Sequence, residues 1–295
     1  MQTESRNPRS QNIDRLPTEA ILRVMNDEDA SVAAAVRRAL PQIARAVDVI
    51  VERLRRGGRL IYVGAGTSGR LAVLDAAECV PTFSVEPELV QAVLAGGDGA
   101  FIHSVEGAED SREQGRDDIL ARGLTANDVV VGIAASGRTP YVASALETAK
   151  EIGAATIAIS CNDPAPILEI ADVPVAAVVG PEVLAGSTRL KAGTAQKLIL
   201  NMLSTATMMK LGKTYGNRMV DVKVTNMKLA GRARGLISDI TGVDDATAAY
   251  LLSDANNEVK TAIVMQQRGV TAGEARDLLA RAGGRLADVI GESEA

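Results

Sequence analysis

The stretch 61-IYVGAGTSGRLAVLDAAECVPTF-83 decides the fold. A short apolar run leads into Gly64, Gly66 and Gly69, spaced G-x-G-x-x-G, and an amphipathic run follows, so these residues read as strand, phosphate-binding turn and helix. Such a turn in a βαβ unit holds either a dinucleotide or a smaller phosphate. Glu86 or Glu88 falls near the spacing of a ribose-binding acid, which favours the dinucleotide. Against it, the turn lies behind a long helical pattern rather than opening the chain. Thr67 and Ser68 also place two hydroxyls where the helix begins, an arrangement suited to a terminal phosphomonoester.

Upstream, residues 17 to 27 and 30 to 56 read as helices. Val32, Val36, Leu40, Ile43, Val47, Ile50 and Leu54 recur at three- and four-residue steps, and Gly57-Gly58 stops the second helix. Downstream the period shortens. RLIYV (59–63), LVQAVLA (89–95), DVVVGIA (128–134), ATIAIS (155–160) and DVPVAAVV (172–179) are β-rich runs separated by helical patterns, which predicts a mostly parallel sheet covered by helices on both faces. Residues 190 to 212 read as one long helix whose Met stripe is packing. Beyond about residue 225 the pattern is wholly helical and punctuated by Gly242, Gly269 and Gly283-Gly284. The expected organisation is an arm with helices at 1–49, an α/β domain at 50–213 and a small helical domain at 214–295.

Composition narrows the function classes. The chain of 295 residues is 46% apolar yet holds two Phe, four Tyr and no Trp, so its core must be built from Ala, Val, Leu and Ile. A net charge of −5 argues against nucleic acid as a partner. Cys79 and Cys161 lack metal-ligand spacing, and a single histidine, His103, leaves no partner for a zinc site or a histidine-based triad. The first twenty residues are polar and no later run is long and uncharged enough to span a bilayer. A cytoplasmic protein with reduced cysteines and no membrane association is expected.

A second loop repeats the chemistry of the first. In 134-AASGRTPYV-142, Ser136, Gly137, Arg138 and Thr139 follow an apolar strand and precede a helix started by Pro140. In an open parallel sheet, ligands collect at the carboxyl ends of strands near the switch in strand order, so two such loops can converge on one anion. A third segment, 180-GPEVLAGSTRLKAGTAQK-197, again sets hydroxyls, Ser187 and Thr188, before a helix, with Arg189, Lys191 and Lys197 nearby. Charge-assisted hydrogen bonds of roughly 1.5 to 3 kcal/mol each would hold a phosphate firmly.

Strand-GAGTSGR, strand-AASGRTP and GPE-x5-ST-x2-K together resemble the sugar isomerase (SIS) domain, which binds phosphosugars. The fold that this implies is α/β: a flavodoxin-like three-layer sandwich around a parallel sheet, with an N-terminal helical arm and a small C-terminal helical, ubiquitin-associated-like domain. GRLIYVGAGTSGRLAVLDAAEC-x-PTF, HSVEGAEDSREQG, DVVVGIAASGRTPYV, GSTRLKAGTAQKLILNMLST and YGNRMVDVKVTN resemble the N-acetylmuramic acid 6-phosphate etherase family more closely still, over nearly the whole chain from TESRN onward. Val80 stands where that family's pattern has Pro.

The resemblance implies a lyase that cleaves the D-lactyl ether at C3 of the sugar, yielding N-acetylglucosamine 6-phosphate and D-lactate in cell-wall amino sugar recycling. In the open-chain aldehyde the C2 proton is α to a carbonyl, so elimination across C2 and C3 followed by water addition needs one base and one acid. It needs no metal and no organic cofactor. The family's two catalytic glutamates map onto Glu78 of DAAEC, as acid, and Glu109 of VEGAED, as base. Taken alone, both read as solvated surface charges. The implied substrate contacts are Gly66, Thr67, Ser68, Ser136, Gly137, Arg138, Thr139, Glu182, Ser187 and Lys191. Asp75, on the helical face of Glu78, is positioned to raise its pKa by repulsion, and His103 has a supporting role.

Nine residues separate Gly69 from Glu78, about 13 Å along an unbroken helix, more than a hexose 6-phosphate spans between phosphorus and C3. Either the helix breaks early or a second subunit supplies one glutamate. The resemblance favours a homodimer with its site near the interface. Two rival readings remain: an aldose–ketose isomerase, and a non-catalytic sugar-phosphate sensor resembling the glucokinase regulatory protein.

Overall fold

A computed structural model of the chain describes residues 1–222, 224 and 227–292. Of the 215–226 motif, Lys223, Thr225 and Asn226 thus lie outside the described residues, as do the last three residues of the C-terminal domain. The chain divides into two compact units. One comprises Met1–Ala77 with Pro87–Ser204, and the other comprises Glu78–Glu86 with the chain from Thr205 onward.

The first unit opens with three short 3-10 turns and then α1 (Thr18–Asp29), α2 (Val32–Arg38) and α3 (Leu40–Arg55). The helix expected at 30–56 is therefore two. Pro41 sits in the first turn of α3, where its missing N–H costs nothing, but a continuous helix would require that N–H. Of the α3 residues whose spacing predicted the helix, Ile43, Val47, Ile50 and Leu54 are in the core, whereas Leu40 at its first position is exposed.

The sheet forms from β1 (Leu60–Gly64), then α4 (Gly66–Phe83), β2 (Val90–Leu94), α5 (Arg112–Leu120), β3 (Val129–Ile133), α6 (Pro140–Ile152), β4 (Ala155–Ser160), α7 (Pro166–Ile170), β5 (Val173–Ala176) and α8 (Lys191–Lys210). All five strands are parallel, in the order β2-β1-β3-β4-β5. Every residue of β1, β3 and β4 is buried, the mark of a sheet covered on both faces. Pro174 is tolerated because β5 is an edge strand. Ile61, Val63 and Val130 pack on one face against Ile119 of α5 and Val142, Ala145 and Leu146 of α6. By the pleat, Tyr62 points to the other face, where its hydroxyl donates to Asp75 of α4 at 3.0 Å.

The second unit holds a two-residue hairpin turn, Gly216-Asn217, between β6 (Thr214–Tyr215) and β7 (Arg218–Met219). Helices α9 (Met227–Thr241), α10 (Asp245–Asp254), α11 (Val259–Arg268), α12 (Ala272–Arg281) and α13 (Leu286–Ile290) follow. Ile237, Leu252, Ile263, Val264 and Leu286 are at its core. Asp244 caps α10 by accepting from the Thr247 amide, and Thr271 with Glu274 forms a reciprocal capping box on α12. Among the described residues, no helix is long and apolar enough to cross a membrane.

Candidate active site

Strand order locates the crevice. From β1 the chain adds β2 on one side and β3, β4 and β5 on the other, so the switch point lies at β1 and β3. Gly64 is in register with Ile133 of β3 and Leu94 of β2, so the loops leaving these three strands start side by side.

At the end of β1 the glycines serve close approach. A Cβ on Gly69 would lie 2.7 Å from the Gly64 carbonyl oxygen and 2.3 Å from Leu94 Cδ1, so the first turn of α4 sits directly on the strand ends. The dinucleotide reading fails on the strand that follows. Because α4 is eighteen residues long, Glu86 and Glu88 both precede β2, and the end of the strand where a ribose-binding acid would stand carries Ala95, Gly96 and Gly97. A ribose-binding acid at the spacing of Glu86 or Glu88 requires a shorter helix than α4.

The hydroxyls divide into two kinds. Thr67 is half-buried, and a Cβ on Gly193 of α8 would lie 3.5 Å from its methyl. Ser68 is buried, and its Oγ donates to Gln196 Oε1 at 2.9 Å, a strut between α4 and α8. In the second loop Gly137 has φ +69°, and its missing Cβ leaves room for Ala165. Half-buried Ser136 accepts from the Arg138 amide at 3.2 Å, Arg138 is exposed, and Thr139 stands at the N-cap of α6 without a capping side-chain bond. The first-turn amides of α6 and the Thr139 hydroxyl are thus arranged for an anion.

The third segment is built differently from expectation. Glu182 is fully buried, and its carboxylate accepts from the Lys191 and Ala192 amides at 3.0 and 2.9 Å, so it caps α8. Burial pushes this carboxyl above its ordinary value against those two bonds. Lys191 is also buried, and its ammonium lies 2.5 Å from Glu28 of α1. Burial works against the Glu28 charge, yet hydrogen bonds from Lys191 and Asn7 hold its carboxyl below the usual range. Both residues expected to contact substrate therefore have internal partners. Ser187 and Thr188 remain half-buried in the loop before the helix.

Glu109 sits on the 3-10 turn Ala108–Asp110 and is exposed. Together with Ala65, Gly66, Arg70, Ala100 and Ser104 it lines a cavity of about 330 Å³, large enough for a monosaccharide phosphate. Arg70 was not picked out from sequence. Its guanidinium donates to the Ala100 and Phe101 carbonyls at 2.8 Å each, tying α4 to the turn that leads to Glu109. His103, on the same segment, is exposed.

Glu78 is exposed and lies in the second unit. Helix α4 does not break before it, so the nine-residue separation from Gly69 corresponds to about 13 Å of rise. Asp75 was expected to lean on Glu78. It is instead buried in the first unit, accepting from Tyr62, from Asn201 at 2.7 Å and from Ser204 at 3.1 Å. Among the described residues, no three His, Cys, Asp or Glu side chains gather as metal ligands.

Known proteins resemble this chain at two levels. The glucokinase regulatory protein N-terminal SIS domain model matches residues 42–150, and the SIS domain model matches 112–206. An N-acetylmuramic acid 6-phosphate etherase of Mycolicibacterium smegmatis is 54% identical over 291 residues, covering 99% of this chain and 98% of its own. One of Geobacillus thermodenitrificans is 56% identical over 282 residues, covering 96% of each. A solved phosphoheptose isomerase from Francisella tularensis, 22% identical, covers 64% of this chain and 98% of its own with a TM-score of 0.50, a likeness of fold alone.

Proposed function

The chain belongs to the N-acetylmuramic acid 6-phosphate etherase family, and from that premise we propose how its residues divide the reaction. It is a carbon–oxygen lyase that cleaves the D-lactyl ether of N-acetylmuramic acid 6-phosphate by elimination and water addition. The phosphate lies at the ends of β1 and β3, bound by Thr67, Ser136, Gly137 and Thr139 with the first-turn amides of α4 and α6, and by Ser187 and Thr188 of the loop before α8. Glu182 and Lys191 contribute indirectly by holding the start of α8.

Glu109 removes the C2 proton of the open-chain sugar, whose negative charge delocalises into the C1 aldehyde. The C3–O bond then breaks, its electron pair goes to the lactyl oxygen, and Glu78 protonates that oxygen. Water adds its oxygen to C3 of the resulting alkene and a proton returns to C2, giving N-acetylglucosamine 6-phosphate. Each carboxyl contributes roughly 10² to 10⁴ in rate. The observation that carries this reading is the cavity that Gly66 and Glu109 line together. The unbroken α4 supports a homodimer in which a second copy supplies Glu78. Cys79 and Cys161, both buried and not joined in a disulfide, support a cytoplasmic location.

The test separates the two glutamates. Glu109→Gln is expected to abolish both C2 hydrogen exchange with deuterated solvent and D-lactate release. Glu78→Gln is expected to keep exchange and lose lactate release. Wild-type turnover in both variants would remove the assignment. A sugar-phosphate sensor or an isomerase would release no D-lactate at all.

A further inference from the structure

The first ten residues form part of a polar arm, yet Thr3 is fully buried and Asn7 nearly so. Their partners are on the loops already described. Asn162, at the end of β4, accepts from the Gln2 and Thr3 amides at 2.9 and 3.3 Å and donates to Thr3 Oγ1 and to the Ala135 carbonyl at 2.9 Å each. That is the full capacity of one amide side chain. Ala135 immediately precedes Ser136. The Thr3 carbonyl accepts from the Gly186 amide at 3.2 Å, and Gly186 immediately precedes Ser187. Asn7 donates to the Pro181 carbonyl at 3.2 Å, and Arg9 pairs with Glu28, the partner of Lys191.

We propose that residues Gln2–Arg9 form a strap that sets the spacing between the Ser136 loop and the Ser187–Thr188 loop, with Thr3 and Asn162 as its positioning residues. These two loops follow different strands, β3 and β5, and Thr3 is bonded toward both at once. The strap touches no reacting atom. Its effect is on how well two hydroxyl-bearing turns fit one anion, and it rests on the reading that those turns hold the phosphate.

Thr3→Val keeps the shape and removes the bond to Asn162. It is expected to raise KM for N-acetylmuramic acid 6-phosphate, and the inhibition constant of inorganic phosphate, by the same factor of about five to ten, with kcat within about twofold. Thr3→Ser should restore both. A strap that only stabilised the fold would lower Tm and leave both constants unchanged at temperatures below melting, and that result overturns the proposal. Should Thr3→Val be insoluble, Asn7→Ala carries the same expectation. Ser136→Ala separates the two layers of the argument. If it raises both constants while Thr3→Val raises neither, the strap alone fails; if it raises neither, the phosphate reading fails.

Discussion

A charged residue beside a hydroxyl turn reads as a ligand contact until its partner is known. Glu182 and Lys191 followed that pattern in the 180–197 segment, but Lys191 is paired with Glu28, 163 residues away in sequence, and Glu182 with the backbone at the start of α8, which it caps. Arg70 shows the reverse. It closes the GAGTSGR motif, and its significance is visible only once the 98–101 turn folds back onto α4. Arg70→Leu removes two hydrogen bonds that hold the approach to Glu109. Misplacing a base by about 1 Å can cost on the order of a hundredfold, so kcat is expected to fall ten- to hundredfold with a smaller change in KM. Arg70→Lys should rescue little, because one ammonium cannot reproduce the fork that reaches both carbonyls. Steady-state kinetics decide it: a raised KM with kcat intact would mean that Arg70 binds substrate instead.

At the level of elements, the three inner strands were legible because β1, β3 and β4 are buried on both faces and must therefore be largely apolar. The split at Ala39 was less so, since the apolar period runs through it and only Pro41 reports the restart. The clamp at the other end of the sheet was not legible at all. Asp128, buried before β3, accepts from the Arg59 amide at 2.7 Å, from the Arg59 guanidinium at 2.8 and 3.1 Å and from the Thr125 amide at 2.8 Å, joining the starts of β1 and β3. Burial opposes its charge, but the hydrogen bonds from Arg59 and Thr125 hold the carboxyl below its ordinary value. A carboxyl depressed on folding stabilises above its unfolded pKa, near 3.9, and loses that contribution as pH falls through the folded value. Asp128→Asn is therefore expected to lower stability by roughly 1.5–3 kcal/mol at pH 7. It should also flatten the decline of Tm below about pH 4, measured by calorimetry from pH 3 to 7. Asp172 is depressed in the same sense, held by Thr156 and Lys150 against its burial, so part of the acid slope should survive. An unaltered slope in Asp128→Asn would contradict the clamp.

At the scale of the whole molecule, the question is whether one chain makes one site. Glu109 and the turns proposed to hold the phosphate belong to the first unit, whereas Glu78 belongs to the second and follows an unbroken run of α4. The family resemblance named both glutamates, but spacing along the chain could not say whether they act within a single copy. If each site takes its turns and Glu109 from one subunit and Glu78 from another, the Glu78→Gln and Glu109→Gln variants, inactive separately, complement each other. In a mixed dimer one site then carries both substitutions and the other carries neither. Random exchange makes half the dimers mixed with one working site of two, so a refolded equimolar mixture should regain about a quarter of wild-type D-lactate release. A site built within one chain gives every site a defect, and the mixture stays inactive. The same mixture, diluted until the dimer dissociates by light scattering, should lose its regained activity in step with the loss of dimer, which ties complementation to the subunit contact rather than to contaminating wild type.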